Sequence, residues 1–533
     1  MTTANADIDA RAAAPIAAAA DPDRIDPKRL AIFAFMTLGM FMAILDIQIV
    51  AASLPQIQAG LAASADQISW IQTSYLIAEV MMIPISGYLA RALSTRVMFS
   101  ISAAGFTLAS LLCGLAPNME TLIILRAIQG FLGGAMIPLV FSTSITAFPR
   151  SRAAQLSAGM GLIVTMAPTV GPTLGGAISE YLSWHWLFFV NVVPGALITA
   201  VVWLYADFDK PNLSLLKKFD ATGFVLLAVS LGFIQFILEE GPGEDWFDSR
   251  LISTMTIVAL AAGVVFFGRM RGRDNPLVDF AVYKNPNFTA GSLVAASTGV
   301  ALFGLVYVLP LFLARIRGFN SLQVGETVFV TGGAMFLAAP LAAMLSRQFD
   351  PRAVSAAGLL IIALSTRDLV SVTSDWGYWE LFWPQVFRGA GLMLVMAPLN
   401  VIALGTLDAD KVPNASGLFN LSRNLGGAFG LAVINTLLND RTVHHTRMLA
   451  DKFDISRPAV TERLSALTAH FSAMGVPDPS SAALRALADI ARREAMVLAF
   501  ADIFQLITLV ALMTAPLLII ATPPSRNVAA GGH

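Results

Sequence analysis

Two carboxylates stand where a lipid-embedded chain tolerates charge least. Asp46 lies deep in the apolar run 30–53, and Glu79 sits near the middle of the run 68–90. A charge at the centre of a bilayer costs at least about 2.5–3.5 kcal/mol, so each should face protein or water and have a partner. A carboxyl whose neighbours and hydration change binds its proton with changing affinity, which is what an exchanging group needs when access alternates. Asp46 and Glu79 are therefore candidates for proton coupling, with Arg126, inside another apolar run, as the cation that Asp46 can meet. The alternative is a static Asp46–Arg126 ion pair that only locks two helices together. Gln72, Tyr75, Glu79 and Ser86 recur at i, i+3, i+7 and i+14, a polar stripe along one helical face. Polar side chains within apolar runs, namely Gln48, Gln72, Tyr75, Arg388, Asn420 and Asn424, are candidates for lining a substrate cavity.

The elements that carry these residues follow from composition. The 533 residues are 56% hydrophobic and 13% charged, whereas soluble proteins carry about 25% charged residues, so most of the chain belongs in lipid. A net charge of −1 gives no basic field for nucleic acid. One cysteine, Cys113, excludes an intrachain disulfide and a Cys-rich metal site. The histidines fall outside the apolar cores, and no HExxH, GxSxG or P-loop pattern occurs. A membrane-embedded enzyme is thus the least favoured reading, and an ion gradient is the expected source of energy, with no cofactor.

Fourteen apolar runs predict an all-α integral membrane protein with fourteen transmembrane helices. Lys and Arg concentrate in the tails and alternate loops, which places both termini in the cytoplasm. Residues 1–29 read as a flexible cytoplasmic N-tail and 522–533 as a C-tail. The linkers 206–220 and 269–287 bracket two runs, and removing that pair leaves six before and six after. The expected organisation is a six-helix bundle over 30–205, linkers with two inserted helices over 206–287, and a second bundle over 288–521. The long loop 439–495 has apolar positions at helical spacing and predicts two short amphipathic helices broken at Gly475-Val476-Pro477. Ala167, Gly171 and Gly175 repeat every four residues beside Pro172 and Gly176, a stripe that suits close helix packing or gating.

These residues resemble the major facilitator superfamily, in its fourteen-span drug:proton antiporter branch of the EmrB/QacA type. Leu45-Asp46-Ile47-Gln48-Ile49-Val50 through Leu54-Pro55 is similar to the branch's first-span motif, with Gln48 for the usual Thr. Arg126-Ala127-Ile128-Gln129-Gly130 is similar to the fourth-span R-x-x-Q-G motif, and Gly171-Pro172-Thr173-Leu174-Gly175-Gly176 to the fifth-span G-P-x-x-G-G motif, with Ala167 for its leading glycine. The stretch from Trp184 to Gly195 is close to a further branch motif. The loop after the second span keeps Gly87, Arg91 and Arg96 but lacks the family's acidic residue. The resemblance implies a major facilitator fold of two six-helix bundles that rock about a midplane site, and proton-driven multidrug efflux of amphipathic molecules. It implies that Asp46 and Arg126 belong to the coupling machinery and that Gly130 belongs with the packing glycines. It also implies a bacterial inner membrane location and, as partners besides substrate, protons and lipid, a periplasmic membrane-fusion adaptor with an outer-membrane channel. An uptake symporter on the same fold is the alternative.

Overall fold

The computed structural model describes residues 26–149, 152–273, 275–451 and 457–521, and among these every regular element is a helix. Lipid offers the backbone no hydrogen-bond partners, so an apolar run must satisfy its own N–H and C=O groups along a helix. Each of the fourteen apolar runs falls mainly within one. We number them α1 (Pro27–Ala52), α2 (Trp70–Leu93), α3 (Thr95–Cys113), α4 (Met119–Thr146), α5 (Ala153–Tyr181), α6 (Trp186–Tyr205), α7 (Ala221–Glu240), α8 (Arg250–Met270), α9 (Pro286–Arg317), α10 (Ser321–Gln348), α11 (Pro351–Asp368), α12 (Tyr378–Leu404), α13 (Val412–Ala450) and α14 (Pro479–Thr514). Twelve are long and apolar enough to cross a membrane; among the described residues α5 contributes only the shorter apolar stretch Gln155–Val164, and α13 is not one of the twelve. The polarity of α13 comes from Asn414, Ser416, Asn420 and Arg423, all of which are buried against other helices.

Several boundaries differ from the sequence reading. α1 starts at Pro27, ahead of residue 30, because the Asp26 side chain accepts from the Lys28 backbone N–H at 2.9 Å and Pro27 suits the first turn. The expected tails over 1–25 and 522–533 lie outside the described residues. In the loop 439–495 the chain is helical on both sides of the expected break at Gly475-Val476-Pro477, but only the first of these helices is short, since the second runs on into the last apolar run. α13 runs on to Ala450 and α14 already starts at Pro479, which suits its first turn, since neither 439–450 nor 480–495 contains a Gly or Pro to stop a helix. Only the helix Pro458–Ala473 is separate, and it ends before Gly475, whose φ of +72° is the left-handed backbone that reverses the chain. The α13 overhang is clipped to the apolar part of α14 where His445 Nε2 meets Asp502 Oδ2 at 2.9 Å.

Packing joins α1 to α5 and α6, α2 to α4, and α3 to α4 and α6; further along, α9 joins α13, α12 joins α10 and α11, and α14 joins α11 and α13. α7 and α8 pack on each other, and α7 also touches α2 and α13. Asp220, at the start of α7, accepts from Arg269 Nε at 2.7 Å and Nη2 at 2.8 Å and pairs with Arg273 at 2.8 Å, which ties this helix pair at one end. Small residues set the closest approaches. A side chain at Gly175 would meet the Ile49 Cα at 2.9 Å, at Gly171 it would run into Gln48, and at Gly130 it would meet the Tyr75 Cα at 2.9 Å. Ala167, Gly171, Gly175 and Gly176 are buried and Pro172 is half-buried, so the fifth-span stripe is the face on which α1 and α5 touch.

Candidate substrate cavity and charge network

Arg126 and Gln129 project from one face of α4 because they are three residues apart, and both meet Asp46 of α1. The Arg126 guanidinium pairs with the Asp46 carboxylate, donates to Gln129 Oε1 at 2.7 Å and to the Ile71 carbonyl at 3.2 Å, and lies 4.3 Å from the centre of the Tyr75 ring. Asp46 accepts two more hydrogen bonds, from Gln129 Nε2 at 3.2 Å and from Asn191 Nδ2 at 2.7 Å. Asp46, Arg126 and Gln129 have no exposed surface at all. The network is fully buried, and none of its four side chains lines the central cavity. Asn191, absent from the expected site, sits in the quoted stretch from Trp184 to Gly195; an asparagine beside a buried run was the available signal.

A cavity of about 360 Å³ opens beside the network, walled by α1, α2, α4, α5, α7, α9 and α13. Its walls are amphipathic. Ile44, Ile47, Leu54, Leu76, Phe303 and Leu431 supply apolar surface, and Gln48, Gln72 and Asn424 supply polar groups at the expected positions. Glu79 also lies in this wall, 4% exposed, where the α4 helix is interrupted after Gly133 so that Gly134 closes on the Glu79 backbone. Arg423 of α13 faces the same space, its guanidinium 5.6 Å from the Phe141 ring centre, and its charge and that of Arg126 are the cations that act on Glu79. Glu79 and the Asp46 network are linked along α2, since Tyr75, one turn from Glu79, covers Arg126.

Three expected lining residues lie elsewhere. Tyr75 turns toward α4, with its hydroxyl 3.4 Å from the Ala43 carbonyl, because its bulk fills the space over Arg126. Arg388 of α12 points at α10, donating to Thr331 Oγ1, with Nε and Nη1 buried and unpartnered among the described residues. Asn420 donates to the Ser416 carbonyl of its own helix at 2.9 Å. Their polarity showed that they face protein but not which protein surface. Conversely, Gln235, Glu239 and Tyr307 line the cavity and were not expected there. Glu239 lies one residue from the end of its helix, where a carboxylate reads as an interface residue.

The end of the molecule that holds Pro27 is closed across α2, α4, α5, α12 and α13. Asn400 Nδ2 donates to Ser157 Oγ at 3.2 Å, Ser416 Oγ donates to the Pro138 carbonyl at 2.7 Å, and a side chain at Gly417 would meet the Ile83 carbonyl oxygen at 2.8 Å. Gly87 is part of this seal, since an added Cβ would collide with the backbone of Pro413 and Asn414. Arg91 and Arg96 make no ion pair among the described residues; each lies about a ring's reach from an aromatic, Arg91 5.9 Å from the Tyr88 centre and Arg96 6.0 Å from that of Trp203. In the same turn Asp209 accepts from the Thr95 backbone N–H at 2.9 Å, so an acid from the following linker caps α3. No group of three or more His, Cys, Asp or Glu able to hold a metal occurs among the described residues.

The sequence profile of the Major Facilitator Superfamily matches residues 36–431. The chain belongs to the major facilitator superfamily. It is 39% identical over 487 residues to the colistin resistance protein EmrB of Acinetobacter baumannii, covering 91% of this chain and 94% of that one. It is 29% identical over 426 residues to the multidrug export protein EmrB of Escherichia coli K12, covering 78% and 81%. The crystal structure of the human organic anion transporter MFSD10 shares the fold, with a TM-score of 0.58 at 14% identity and coverage of 91% and 100%. For a transporter of this superfamily, of EmrB type, the space between two helix bundles is where a substrate is held while one bundle moves against the other. The cavity has that position, with α1, α2, α4 and α5 on one side and α9 and α13 on the other.

Proposed function

We propose that the chain exports amphipathic small molecules from a bacterial cytoplasm in exchange for protons, by alternating access to the central cavity. The observation that carries this reading is that Glu79 and Arg423 line one cavity whose walls are mostly apolar with polar groups set among them. The two residues belong to bundles that must move apart and together. Rocking therefore changes the charge beside Glu79, and a carboxyl with different neighbours in two access states takes up its proton on one side and gives it up on the other. The Asp46–Arg126 pair is the second station, reached through the α2 turn that carries Tyr75 and Glu79. Relatives whose names describe multidrug export and colistin resistance support export over uptake.

In this reading α5 and α13 join the twelve apolar helices as spans, which makes fourteen, with α7 and α8 as an inserted pair between the bundles 30–205 and 288–521. The distribution of Lys and Arg supports both termini in the cytoplasm, which makes the sealed end the cytoplasmic one. The α13 and α14 overhangs and the helix Pro458–Ala473 then project into the periplasm, where they suit contact with a membrane-fusion adaptor and an outer-membrane channel. The test is transport in proteoliposomes with an imposed pH gradient and a panel of cationic, neutral and anionic amphiphiles. Glu79→Gln and Asp46→Asn should each abolish gradient-driven movement while the protein still inserts. Undiminished gradient-driven transport by both variants would overturn the proton-coupled mechanism.

A further inference from the structure

We propose that helix α7 supplies a counter-ion to the substrate, with Glu239 receiving the positive charge of a lipophilic organic cation in the central cavity. This rests on reading that cavity as the transport site, and it adds a substrate class and a specificity residue to that reading. Gln235 and Glu239 are one turn apart, so both reach the same wall, and the Gln235 amide donates to Glu239 Oε1 at 2.9 Å, which orients the carboxylate. No Lys, Arg or His makes an ion pair with Glu239 among the described residues. The other cavity carboxylate, Glu79, makes no ion pair among the described residues either, but the charges of Arg423 and Arg126 act on it, whereas the charge that acts on Glu239 is the like charge of Glu240. The lining therefore holds two carboxylates against one guanidinium, and the unanswered negative charge is on α7.

The surroundings of Glu239 suit a cation with an apolar body. Across the cavity, Phe303 and Tyr307 of α9 present aromatic rings. A ring face beside a carboxylate attracts a delocalised cation from both directions. Glu240, the next residue, accepts from Thr73 Oγ1 at 3.0 Å and adds to the negative potential at that end. A volume of about 360 Å³ falls in the range that holds a drug-sized molecule. The only hydrogen bond described for Glu239 is within its own helix, so neutralising it breaks no described contact between helices.

The test compares two ions of nearly the same shape and opposite charge, tetraphenylphosphonium and tetraphenylborate, by equilibrium binding to the full chain in nanodiscs. Wild type should prefer the phosphonium. Glu239→Gln should weaken phosphonium binding about tenfold, the smaller end of what neutralising one partner of a close charge pair does, and leave borate binding equal or tighter. Glu239→Asp should keep the preference. Parallel losses for both ions, or an unchanged phosphonium affinity, would overturn the assignment. Gradient-driven transport of a neutral amphiphile separates the two readings: if Glu239→Gln still moves it while cation binding is unaffected, the counter-ion role falls alone, and if wild type moves no amphiphile of any charge, the exporter reading falls and this one with it.

Discussion

Removing the arginine from the Asp46 network gives the sharpest energetic test of the structure. In Arg126→Met the carboxylate keeps two neutral donors, Gln129 Nε2 at 3.2 Å and Asn191 Nδ2 at 2.7 Å, but loses its only countercharge at a site with no exposed surface. Stranding one member of a buried pair costs about 3–5 kcal/mol, because the desolvation already incurred is no longer offset. Asp46→Asn strands the guanidinium instead. It retains Gln129 Oε1, the Ile71 carbonyl and the Tyr75 ring, so the loss should lie at the lower end of that range. In the double variant Asp46→Asn/Arg126→Met neither charge remains, and the cost should be smaller than the sum of the two singles by about 2–3 kcal/mol. Reversible unfolding in mixed micelles, followed by tryptophan fluorescence, measures the cycle. Because no solvent reaches the pair, the coupling should be the same at low and high salt. Additivity of the two single changes to within about 0.5 kcal/mol would refute the ion pair as an energetic unit.

Three further outcomes follow from geometry outside that network. The Arg269 hydrogen bonds, with Arg273 nearby, hold the Asp220 carboxyl below the usual carboxylate range, so its contribution is complete above the unfolded value near 3.8 and is lost as pH falls through the lower folded one. Asp220→Asn should therefore cost about 1 kcal/mol at pH 7, limited by the part-exposed arginines, and progressively less as pH falls below 3.8; a pH-independent cost in thermal unfolding would contradict this. Gly87→Ala should force the sealed end apart, so that a cysteine introduced at Ser416 reacts several-fold faster with a permeant maleimide than in the Gly87 background, Cys113 being buried; equal rates would place the seal elsewhere. Ser94 has a φ of +83° with ψ of 153°, a backbone region that is nearly glycine's alone, so Ser94→Gly should stabilise the turn by about 1 kcal/mol despite loss of the 3.4 Å cap to the Val97 N–H, and a lower midpoint in thermal unfolding would count against it.

Much of this arrangement was legible because lipid makes the rules strict. An apolar run must be a helix, and a charge within it must have a partner, so the runs carrying Asp46 and Arg126 could be located and their meeting anticipated from one sequence. Glycine repeats such as Gly171 and Gly175 announced close approach, although only the structure shows that Gln48 and Ile49 of α1 are what they approach. Legibility failed where a residue's role depends on length or position along an uninterrupted helix. The α13 and α14 overhangs continue past the apolar runs because nothing in 439–450 or 480–495 stops a helix, and hydropathy alone ends the span where the helix does not end. Glu239 was missed for the same reason in reverse: near a helix terminus it has the sequence appearance of a solvated carboxylate, yet α7 leans on α2 and α13 and carries that terminus into the cavity wall.

The two buried arginines show where local pattern stops being informative. Leu125-Arg126-Ala127 and Phe387-Arg388-Gly389 look alike along the chain, each an arginine with small residues after it, and both side chains are buried. Arg126 finds a carboxylate because α1 happens to bring Asp46 opposite it. Arg388 finds only the Thr331 hydroxyl, because α10 and α12 carry no acid at that height, and two of its nitrogens have no partner among the described residues. A helix's own sequence determines which side chains share a face, and the opposing helix determines what that face means. Asp46 of α1 and Arg126 of α4 answer each other directly, whereas Glu79 of α2 and Arg423 of α13 line one cavity without forming an ion pair among the described residues. We propose this difference as the physical basis for coupling: the charge relation that would change when the bundles move is the one that spans them, and the contact closed within one bundle would move as a unit.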